Sequence, residues 1–389
     1  MKKALFISNG WQTSKDGPVV SGGDVRWVEI AKQWQQLGIE IHILTQDAGR
    51  EFGIKMDLRG EIHYHFMPSS EKYDKIGSIR RVLNSFRIPE ELKSFDGTIY
   101  STTELAYDVL PGMFIKRKNP HCSFIVVAHW VAPLRRKGNS FLSGLMFFLG
   151  QRLGYLIAKR YTNLILAVSR PTKEAILREI KVPDEIIRVV SCGVDYGKIR
   201  EIASQTNVKL YEGIFMKRLE ATKGVFDVIR IWKEILKECP SMKLVLVGNA
   251  TEKTRAKLDQ LIKDESLQQN VIINGPIYEF EQKIRILCES KLFLLPSHEE
   301  NWAIVIGEAL GCGIPVICYG LHEIKPIWED KIIWIQKGDI KAFAAAVLAL
   351  LKDNQRQETM GKKGIEFVKK YDWRQIAEDE LNLIIGNKK

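Results

Sequence analysis

Two glutamates eight positions apart, Glu300 and Glu308, are the residues of this chain whose type and setting best suit chemistry. An apolar run that predicts a buried strand, Leu292–Leu295, ends at Pro296 just before them. Glu300 follows in a polar loop, and Glu308 lies near the start of a predicted apolar helix. Ligands of open α/β sheets collect at the carboxyl ends of strands, where a carboxylate stabilised by a helix N-terminus can accept hydrogen bonds from sugar hydroxyls. The alternative is a pair of solvated glutamates.

Two cations, Arg218 and Lys223, lie in a loop between the predicted strand Leu210–Phe215 and the predicted helix Val225–Lys237. Two positive side chains in one loop can neutralise a pyrophosphate without a metal ion. Solvated basic side chains are the simpler interpretation of the same residues. The glutamate pair further along the chain favours the phosphate-binding interpretation.

A pair of glycines and a histidine suggest a second group of functional residues. Gly22 and Gly23 precede the predicted helix Val25–Leu37, where glycine lets the backbone approach an anion at a helix N-terminus. The alternative is a simple turn that Asp24 caps. His129 directly follows the predicted strand Phe124–Ala128, although a lone histidine near a strand end more often has a structural role.

These segments resemble the motifs of retaining GT-B glycosyltransferases of family 4, the glycosyl transferases of group 1. The matches to the Glu-x7-Glu signature are Glu300, Glu308, Ala309, Gly313, Pro315 and Val316. The loop with Arg218 and Lys223 keeps the cation spacing of the family's Gly-Arg-Leu-x-x-x-Lys-Gly motif. Two departures are Asn301-Trp302-Ala303, where Gly-Phe-Gly is usual, and Lys217, which replaces the first glycine of the second motif.

The resemblance implies roles for these residues. Glu308 would hold the ribose, Arg218 and Lys223 the diphosphate, and Glu300 the donor-sugar hydroxyls, while His129 would complete the reacting site from the N-terminal domain. The implied donor-binding set is Gly22, Gly23, Gly248, Gly275, Glu300, Asn301, Trp302, Ala303, Ile304 and Glu308; Gly248 and Gly275 are equally well interpreted as turn glycines. We expect no metal and no cofactor, because the chain has no Asp-x-Asp motif and the two cations can supply the positive charge.

Alternating strand and helix patterns predict an α/β fold with parallel sheets. The predicted strands of the first half are Ala4–Ser8, Ile39–Leu44, Ile62–Phe66, Thr98–Tyr100, Phe124–Ala128, Leu164–Val168 and Ile187–Val190; those of the second half are Leu210–Phe215, Leu244–Val247, Val271–Ile273, Leu292–Leu295, Val316–Ile317 and Ile332–Ile335. We expect an N-terminal domain over 1–193, a linker near 193–207 and a donor domain over 208–371. The resemblance implies two Rossmann-like domains facing across a cleft, with the helix Trp373–Ile385 crossing back to the first.

Length and composition fit a two-domain globular protein: 389 residues, 45% hydrophobic and 27% charged. No stretch forms a clean membrane span, and the apolar run at the N-terminus is too short for a signal peptide. The six cysteines are scattered, which favours reduced thiols in the cytoplasm over a zinc site or a disulfide framework.

The net charge of +11 is concentrated in one segment. Residues 109–173 contain eleven Lys and Arg but no Asp or Glu, including Arg135, Arg136 and Lys137, just before an apolar run that begins at Phe141 and Leu142. We expect this surface to contact an anionic membrane, with the protein peripheral on the inner face of the cell membrane and a lipid-linked or other glycan acceptor. The alternative is a core helix with a buried stripe of Leu145, Phe148, Leu149, Leu153 and Leu156. Nucleic acid is not an expected partner, because no nucleic-acid-binding motif is present.

The sequence thus predicts a retaining, metal-independent hexosyltransferase that uses a UDP- or GDP-sugar. Two other classes stay open: a sugar-nucleotide epimerase or phosphorylase-like enzyme on the same fold, and an inactive relative that binds the membrane surface. A phosphorylase would need a lysine that holds pyridoxal phosphate, which no motif marks. Turnover of the donor without an acceptor would distinguish an epimerase from a transferase.

Overall fold

The computed structural model describes residues 1–11, 13–14, 17–18, 21–68, 77–134, 141–206 and 208–386. The chain divides into two compact units, Met1–Cys192 with Trp373–Lys389, and Gly193–Asp372. The predicted boundary near residue 193 therefore differs from the observed division by one residue. The predicted linker is not merely a connector, because Tyr196–Gln205 is a helix that belongs to the second unit.

The first unit is built on a parallel sheet of seven strands in the order β5-β4-β1-β6-β7-β8-β9. Its strands are β1 (Lys3–Ser8), β4 (Glu40–Thr45), β5 (Ile62–Phe66), β6 (Thr98–Ser101), β7 (Ser123–Ala128), β8 (Leu164–Ala167) and β9 (Ile187–Val189), and β2 (Thr13–Ser14) pairs with β3 (Gly17–Pro18) in a small antiparallel ribbon. The inner strand β7 is buried along its whole length, as expected for parallel strands with helices on both faces.

The second unit contains a parallel sheet of six strands in the order β12-β11-β10-β13-β14-β15. Its strands are β10 (Tyr211–Met216), β11 (Leu244–Val247), β12 (Val271–Gly275), β13 (Ser290–Leu295), β14 (Val316–Tyr319) and β15 (Ile333–Ile335). All thirteen predicted strands are present, and the expectation of two Rossmann-like domains is confirmed.

Helices cover the faces of both sheets. Those of the first unit are α1 (Gly22–Gln36), α2 (Asp47–Lys55), α3 (Gly77–Asn84), α4 (Ala106–Lys118), α5 (Phe141–Tyr161) and α6 (Arg170–Glu179). Those of the second are α7 (Tyr196–Gln205), α8 (Val225–Leu236), α9 (Glu252–Asp264), α10 (Phe280–Cys288), α11 (Ile304–Gly311), α12 (Lys325–Trp328), α13 (Ile340–Leu351) and α14 (Asn354–Val368). Among the described residues, no helix combines the length and the apolarity needed to cross a bilayer.

The last helix, α15 (Trp373–Gly386), returns to the first unit as the resemblance implied. It packs on α1, where Trp34 Nε1 donates a hydrogen bond of 3.0 Å to the Ala377 carbonyl. A buried ion pair joins Arg26 of α1 to Glu380 of α15, and the Tyr100 hydroxyl bonds to both side chains. A buried charge pair of this kind costs several kcal/mol when one partner is removed, so it fixes the helix to this unit.

Candidate active site

The cationic loop of the second unit follows β10 and lies against the loop that follows β13. Gly224 ends its 3₁₀ turn, Ala221–Lys223, with φ of +81°. A Cβ at Gly224 would lie 1.8 Å from the Pro296 carbonyl oxygen. Glycine is therefore required on both steric and conformational grounds, and it brings Lys223 next to the glutamate loop.

Glu300 is the centre of this arrangement and is only 7% exposed. Its carboxylate lies 3.1 Å from Lys217 Nζ and 3.4 Å from Lys223 Nζ, and it accepts a hydrogen bond of 2.9 Å from the Ser297 hydroxyl. Burial alone would raise the pKa of the Glu300 carboxyl, but the two ammonium groups and the hydroxyl hold that pKa below its ordinary value. Glu300 is thus a buried carboxylate that stays ionised at neutral pH.

The two predicted phosphate-binding cations differ in their surroundings. Lys223 is largely buried and donates to the Glu299 carbonyl at 2.6 Å; burial lowers its pKa and Glu300 partly offsets this. The Arg218 side chain is 45% exposed and pairs with Glu220 at 3.1 Å. The structure therefore joins Lys223 to Glu300, whereas Arg218 lies on the solvent side with a different carboxylate.

Glu308 lies on α11 and is also buried. It is the fifth residue of that helix, so the expected stabilisation by the helix N-terminus is wrong. Its carboxylate is instead paired with Lys283 Nζ of α10 at 2.6 Å. A lysine that no sequence motif marks therefore supplies the counter-charge.

The segment between the glutamates contains predicted donor-binding residues, among them Asn301, Trp302 and Ala303. Trp302 is buried edge-on against Trp328 and Tyr371, with ring centroids 4.7 and 5.3 Å away. The indole therefore packs in the core of the unit. Ala303 has φ of +60°, a left-handed conformation at the position where the related motif has glycine, while Asn301 and Ile304 are partly exposed.

Backbone conformation and packing are sufficient to explain why residues 248 and 275, two of the predicted donor-binding positions, are glycines. Gly248 has φ of +152°, and a Cβ there would lie 1.8 Å from the Lys217 carbonyl oxygen. Close packing of two loops of the same unit therefore explains this glycine. Gly275 has φ of +76° with open space around its Cβ position, as in a turn. Neither observation adds support for a donor contact.

A hydrogen-bonded group that the sequence did not suggest holds the glutamate loop to α8. His298 Nε2 lies 2.9 Å from Asp227 Oδ2, which also accepts from the Tyr319 hydroxyl at 3.1 Å. The His298 amide donates to the Thr222 carbonyl at 2.9 Å. The loop that carries Glu300 is thus fixed by both backbone and side-chain bonds.

In the first unit, the structure brings the glycine pair and His129 together. Ser21 caps α1 and forms a reciprocal capping box with Asp24, so the glycines form the first turn of the helix. The Cβ position of Gly23 lies 3.0 Å from His129 Cε1 and Nε2. His129 Nε2 donates to the Thr102 carbonyl at 3.0 Å, because a carbonyl oxygen only accepts; this leaves Nδ1 as the acceptor of the neutral ring.

Buried groups around His129 are shifted toward their neutral forms. Burial lowers the pKa of His129 to about 4, against the opposing effect of the Thr102 carbonyl. Burial raises the pKa of Glu104 to about 7, although its carboxylate accepts from the His129 amide at 3.0 Å and from Gln151. Burial likewise raises the pKa of Asp108 to about 7.

Part of the predicted membrane surface can be compared with the structure. Arg135, Arg136 and Lys137 lie outside the described residues, as do the side chains of Phe141 and Leu142 at the start of α5. Further along α5, Leu149, Leu153 and Leu156 are 56%, 42% and 64% exposed. The alternative of a buried leucine stripe is therefore wrong for these three residues, and the core-facing residues include Tyr155 and Ala158.

Comparisons with known proteins extend over nearly the whole chain. Residues 199–367 match the family described as glycosyl transferases group 1, and residues 20–198 match glycosyltransferase family 4. One relative, the N-acetyl-alpha-D-glucosaminyl L-malate synthase of Bacillus anthracis, is 29% identical over 157 residues, which is 40% of each chain. Another, the capsular polysaccharide biosynthesis glycosyltransferase CapM of Staphylococcus aureus, is 26% identical over 56% of this chain and 60% of its own.

The aligned segments thus cover less than two thirds of either relative. The crystal structure of Alr3699/HepE of Anabaena in complex with UDP and glucose aligns over 99% of this chain and 100% of that one. Its TM-score is 0.76 at 17% sequence identity, so this likeness concerns the fold.

Proposed function

The chain belongs to the glycosyl transferases of group 1, and we propose that it is a retaining enzyme that moves a hexosyl group from a UDP- or GDP-sugar to an acceptor hydroxyl. The observation that carries this proposal is the ionised, buried Glu300 between Lys217 and Lys223. The group lies at the carboxyl ends of β10 and β13, where ligands of parallel sheets bind. A buried carboxylate beside cations suits a ligand that is both polyhydroxylated and anionic.

In this proposal Arg218 and Lys223 bind the diphosphate, Glu308 the ribose hydroxyls, and Glu300 the hydroxyls of the sugar. The bond from the anomeric carbon to the diphosphate oxygen breaks, and the acceptor oxygen forms the new bond on the same face. The acceptor hydroxyl proton passes to the departing phosphate. Negative charge grows on that phosphate in the transition state, so the cations stabilise the transition state more than the bound donor.

His129 and the Gly22-Gly23 turn are the proposed contribution of the first unit. The neutral ring of His129, with Nε2 held by the Thr102 carbonyl, presents an acceptor nitrogen without adding charge. Such a group suits a sugar hydroxyl better than a phosphate. The amides of the first turn of α1 suit an anion.

A panel of nucleotide sugars tests the function. The full chain is heated with UDP-, GDP- and ADP-sugars, beginning with UDP-glucose because the Anabaena structure holds UDP and glucose. A ligand at 100 times its Kd stabilises the fold by about 2.7 kcal/mol, so the correct donor raises Tm clearly. Transfer to acceptor with α-configured product from an α-configured donor, followed by NMR, supports retention. No stabilisation by any nucleotide sugar, or an inverted product, would defeat the proposal.

We also propose that the acceptor is lipid-linked and that the first unit contacts an anionic membrane surface. Helices α3 and α5 both pack against α4. Exposed large apolar side chains are Ile79, Leu83 and, just after the helix, Phe86 for α3, and Leu149, Leu153 and Leu156 for α5. Lys159 and Arg160 are exposed at the end of α5. Exposed apolar residues beside cations fit a membrane interface.

Flotation with anionic liposomes tests this surface. Replacing Leu149, Leu153 and Leu156 by Gln, or Arg135, Arg136 and Lys137 by Gln, should abolish flotation at moderate salt. Replacing the exposed Leu210 of the second unit by Gln is the matched control and should leave flotation unchanged. Flotation that persists in both triple variants, or that is absent in the unaltered chain, would defeat the membrane proposal without touching the transferase assignment.

A further inference from the structure

Three of the seven histidines of the chain lie side by side on two neighbouring strands. His42 of β4 is paired across the sheet with His63 of β5, and His65 is two residues further along β5. The His42 ring stacks on both others, with centroids 4.6 Å from His63 and 5.4 Å from His65. The nucleotide-sugar site described above uses none of these residues.

The side chains at this place converge on one point. His42 Nε2 lies 2.7 Å and His63 Nε2 3.6 Å from the Glu40 carboxylate, and one ligand atom from each of the three residues lies within 4.8 Å of the others. Ligands bound to one zinc ion at about 2.0–2.2 Å lie within about 4.2 Å of one another. Small side-chain rotations therefore suffice to bring all three onto one ion.

We propose that Glu40, His42 and His63 form a binding site for a divalent transition-metal ion of the Zn²⁺ type. Two imidazoles and one carboxylate suit Zn²⁺, whereas Mg²⁺ and Ca²⁺ prefer oxygen ligands. Glu61, whose carboxylate lies 3.9 Å from His63 Nε2, can supply the fourth ligand in place of water. Lys3, a neighbouring cation, is paired with Asp96 at 2.6 Å and also attracts the Glu40 carboxylate electrostatically, without an ion pair to it at contact distance.

The surroundings of His42 match those of a metal ligand. Its second nitrogen, Nδ1, lies 3.1 Å from His65 Nε2, and His65 Nδ1 lies 3.0 Å from the Glu91 carboxylate. Metal-binding histidines are commonly oriented by a hydrogen bond from the other ring nitrogen to a carboxylate, a carbonyl or water, and here His65 relays this bond to the Glu91 carboxylate. His65 and Glu91 are thus positioning residues for His42.

The location of the site indicates its role. Glu40 and His42 are near the amino end of β4, and His63 is near the amino end of the edge strand β5. His129, in contrast, follows the carboxyl end of β7. An ion at this site would therefore tie the edge strand to its neighbour and stabilise the first unit, without acting in sugar transfer.

Calorimetric titration of the full, tag-free chain with ZnCl₂, after removal of bound metal with a chelator and dialysis, tests the proposal. We expect about one equivalent to bind, a higher unfolding midpoint with Zn²⁺, no comparable binding of MgCl₂, and a visible d–d spectrum with nitrogen ligands when Co²⁺ is used. His42→Ala and His63→Ala should each weaken Zn²⁺ binding at least tenfold, and His65→Ala by about tenfold.

His121→Ala, which removes an exposed histidine of the same unit, is the matched control and should bind Zn²⁺ as the unaltered chain does. Glu40→Gln removes the carboxylate charge while keeping side-chain size, and it should also weaken Zn²⁺ binding. This variant keeps the test informative if either histidine variant fails to fold. Equal Zn²⁺ affinity in the unaltered chain and in His63→Ala and Glu40→Gln would overturn the proposal, as would the absence of binding. Nucleotide-sugar binding should not change in any of these variants, so this test is independent of the proposed function.

Discussion

The candidate residues of the two units lie in opposite electrostatic settings. In the second unit, the buried carboxylates lie beside ammonium groups: Glu300 beside Lys217 and Lys223, and Glu308 beside Lys283. In the first unit, burial shifts the pKa of His129 to about 4 and that of Glu104 and Asp108 to about 7, which favours neutral forms. The same physical cost, the desolvation of a charge, is met by counter-charges in one unit and by proton gain or loss in the other.

The difference suggests a division of labour. Paired charges in the second unit can exchange partners with an ionic ligand such as a diphosphate. If the proposed function is correct, the neutral hydrogen-bonding groups of the first unit suit hydroxyl groups and do not repel a charged donor.

The largest effect is expected from the cations of the second unit. Lys223→Ala and Arg218→Ala should each lower kcat by about 10²–10³-fold, because in the proposed function these two cations stabilise the charge that grows on the leaving phosphate. The measurement is steady-state transfer with saturating donor. Lys237→Ala, which removes an exposed lysine that pairs with Glu234, is the control and should transfer normally. Near-normal kcat in either active-site variant would contradict the assignment.

Two glycine substitutions test how tightly the loops of the second unit must approach each other. Gly224→Ala and Gly275→Ala both place a side chain at positive φ, which costs about 1–2 kcal/mol. Only at Gly224 would the Cβ also collide with a carbonyl oxygen, that of Pro296. Urea unfolding should therefore show a loss larger by about 2 kcal/mol or more for Gly224→Ala. Equal losses would mean that the loops separate easily.

Glu308→Gln tests the carboxylate proposed to hold the ribose. We expect the Kd of the nucleoside diphosphate to rise about 10–100-fold, because a hydrogen bond to a charged group contributes about 1.5–3 kcal/mol. Isothermal titration with the nucleoside diphosphate measures this Kd. Glu281→Gln, which changes an exposed carboxylate of α10 that pairs with Arg285, should leave Kd unchanged. An unchanged Kd in Glu308→Gln would mean that Glu308 does not bind the ribose.

The pH dependence of stability tests the neutral groups of the first unit. Asp108 has a pKa raised from 3.8 to about 7 in the fold, so its contribution to stability is fully present below 3.8 and is lost as pH rises to about 7. Relative to the unaltered chain, Asp108→Asn should gain about 1–2 kcal/mol of unfolding free energy over roughly pH 5.5 to 7. The exposed Asp96, whose pKa Lys3 lowers, gives the control variant Asp96→Asn and should show no such gain. A flat difference would mean that Asp108 is an ordinary ionised carboxylate.

Much of the fold follows from the sequence, because parallel strands buried on both faces are continuous apolar runs that end at polar loops. Glu300 and Lys223 come together because each lies just after one of two neighbouring strands, β13 and β10. Lys283 could not be foreseen, since it reaches Glu308 from the middle of another helix. Lys217 was noted in the sequence only because it replaces the first glycine of the related motif, and its pairing with Glu300 was not predicted.

The features that the sequence could not predict have equally local causes. Trp302 lies in a motif, but the direction in which its side chain packs depends on Trp328 and Tyr371, both distant in the sequence. Close packing against the Lys217 carbonyl is sufficient to explain why residue 248 is a glycine. The histidine cluster depends on the strand register that pairs His42 with His63. The sequence signals for it are the two-residue spacings of Glu40 and His42, and of His63 and His65, each within a predicted strand.

The most direct test of the central claim is a crystal structure of the chain with its nucleoside diphosphate, grown with Mg²⁺ present. We predict that the phosphates lie within hydrogen-bond distance of Arg218 and Lys223, that the ribose hydroxyls lie on Glu308, and that no divalent ion bridges the phosphates. A nucleotide bound away from these three residues, or phosphates held by a bridging Mg²⁺ with both cations turned elsewhere, would contradict the account.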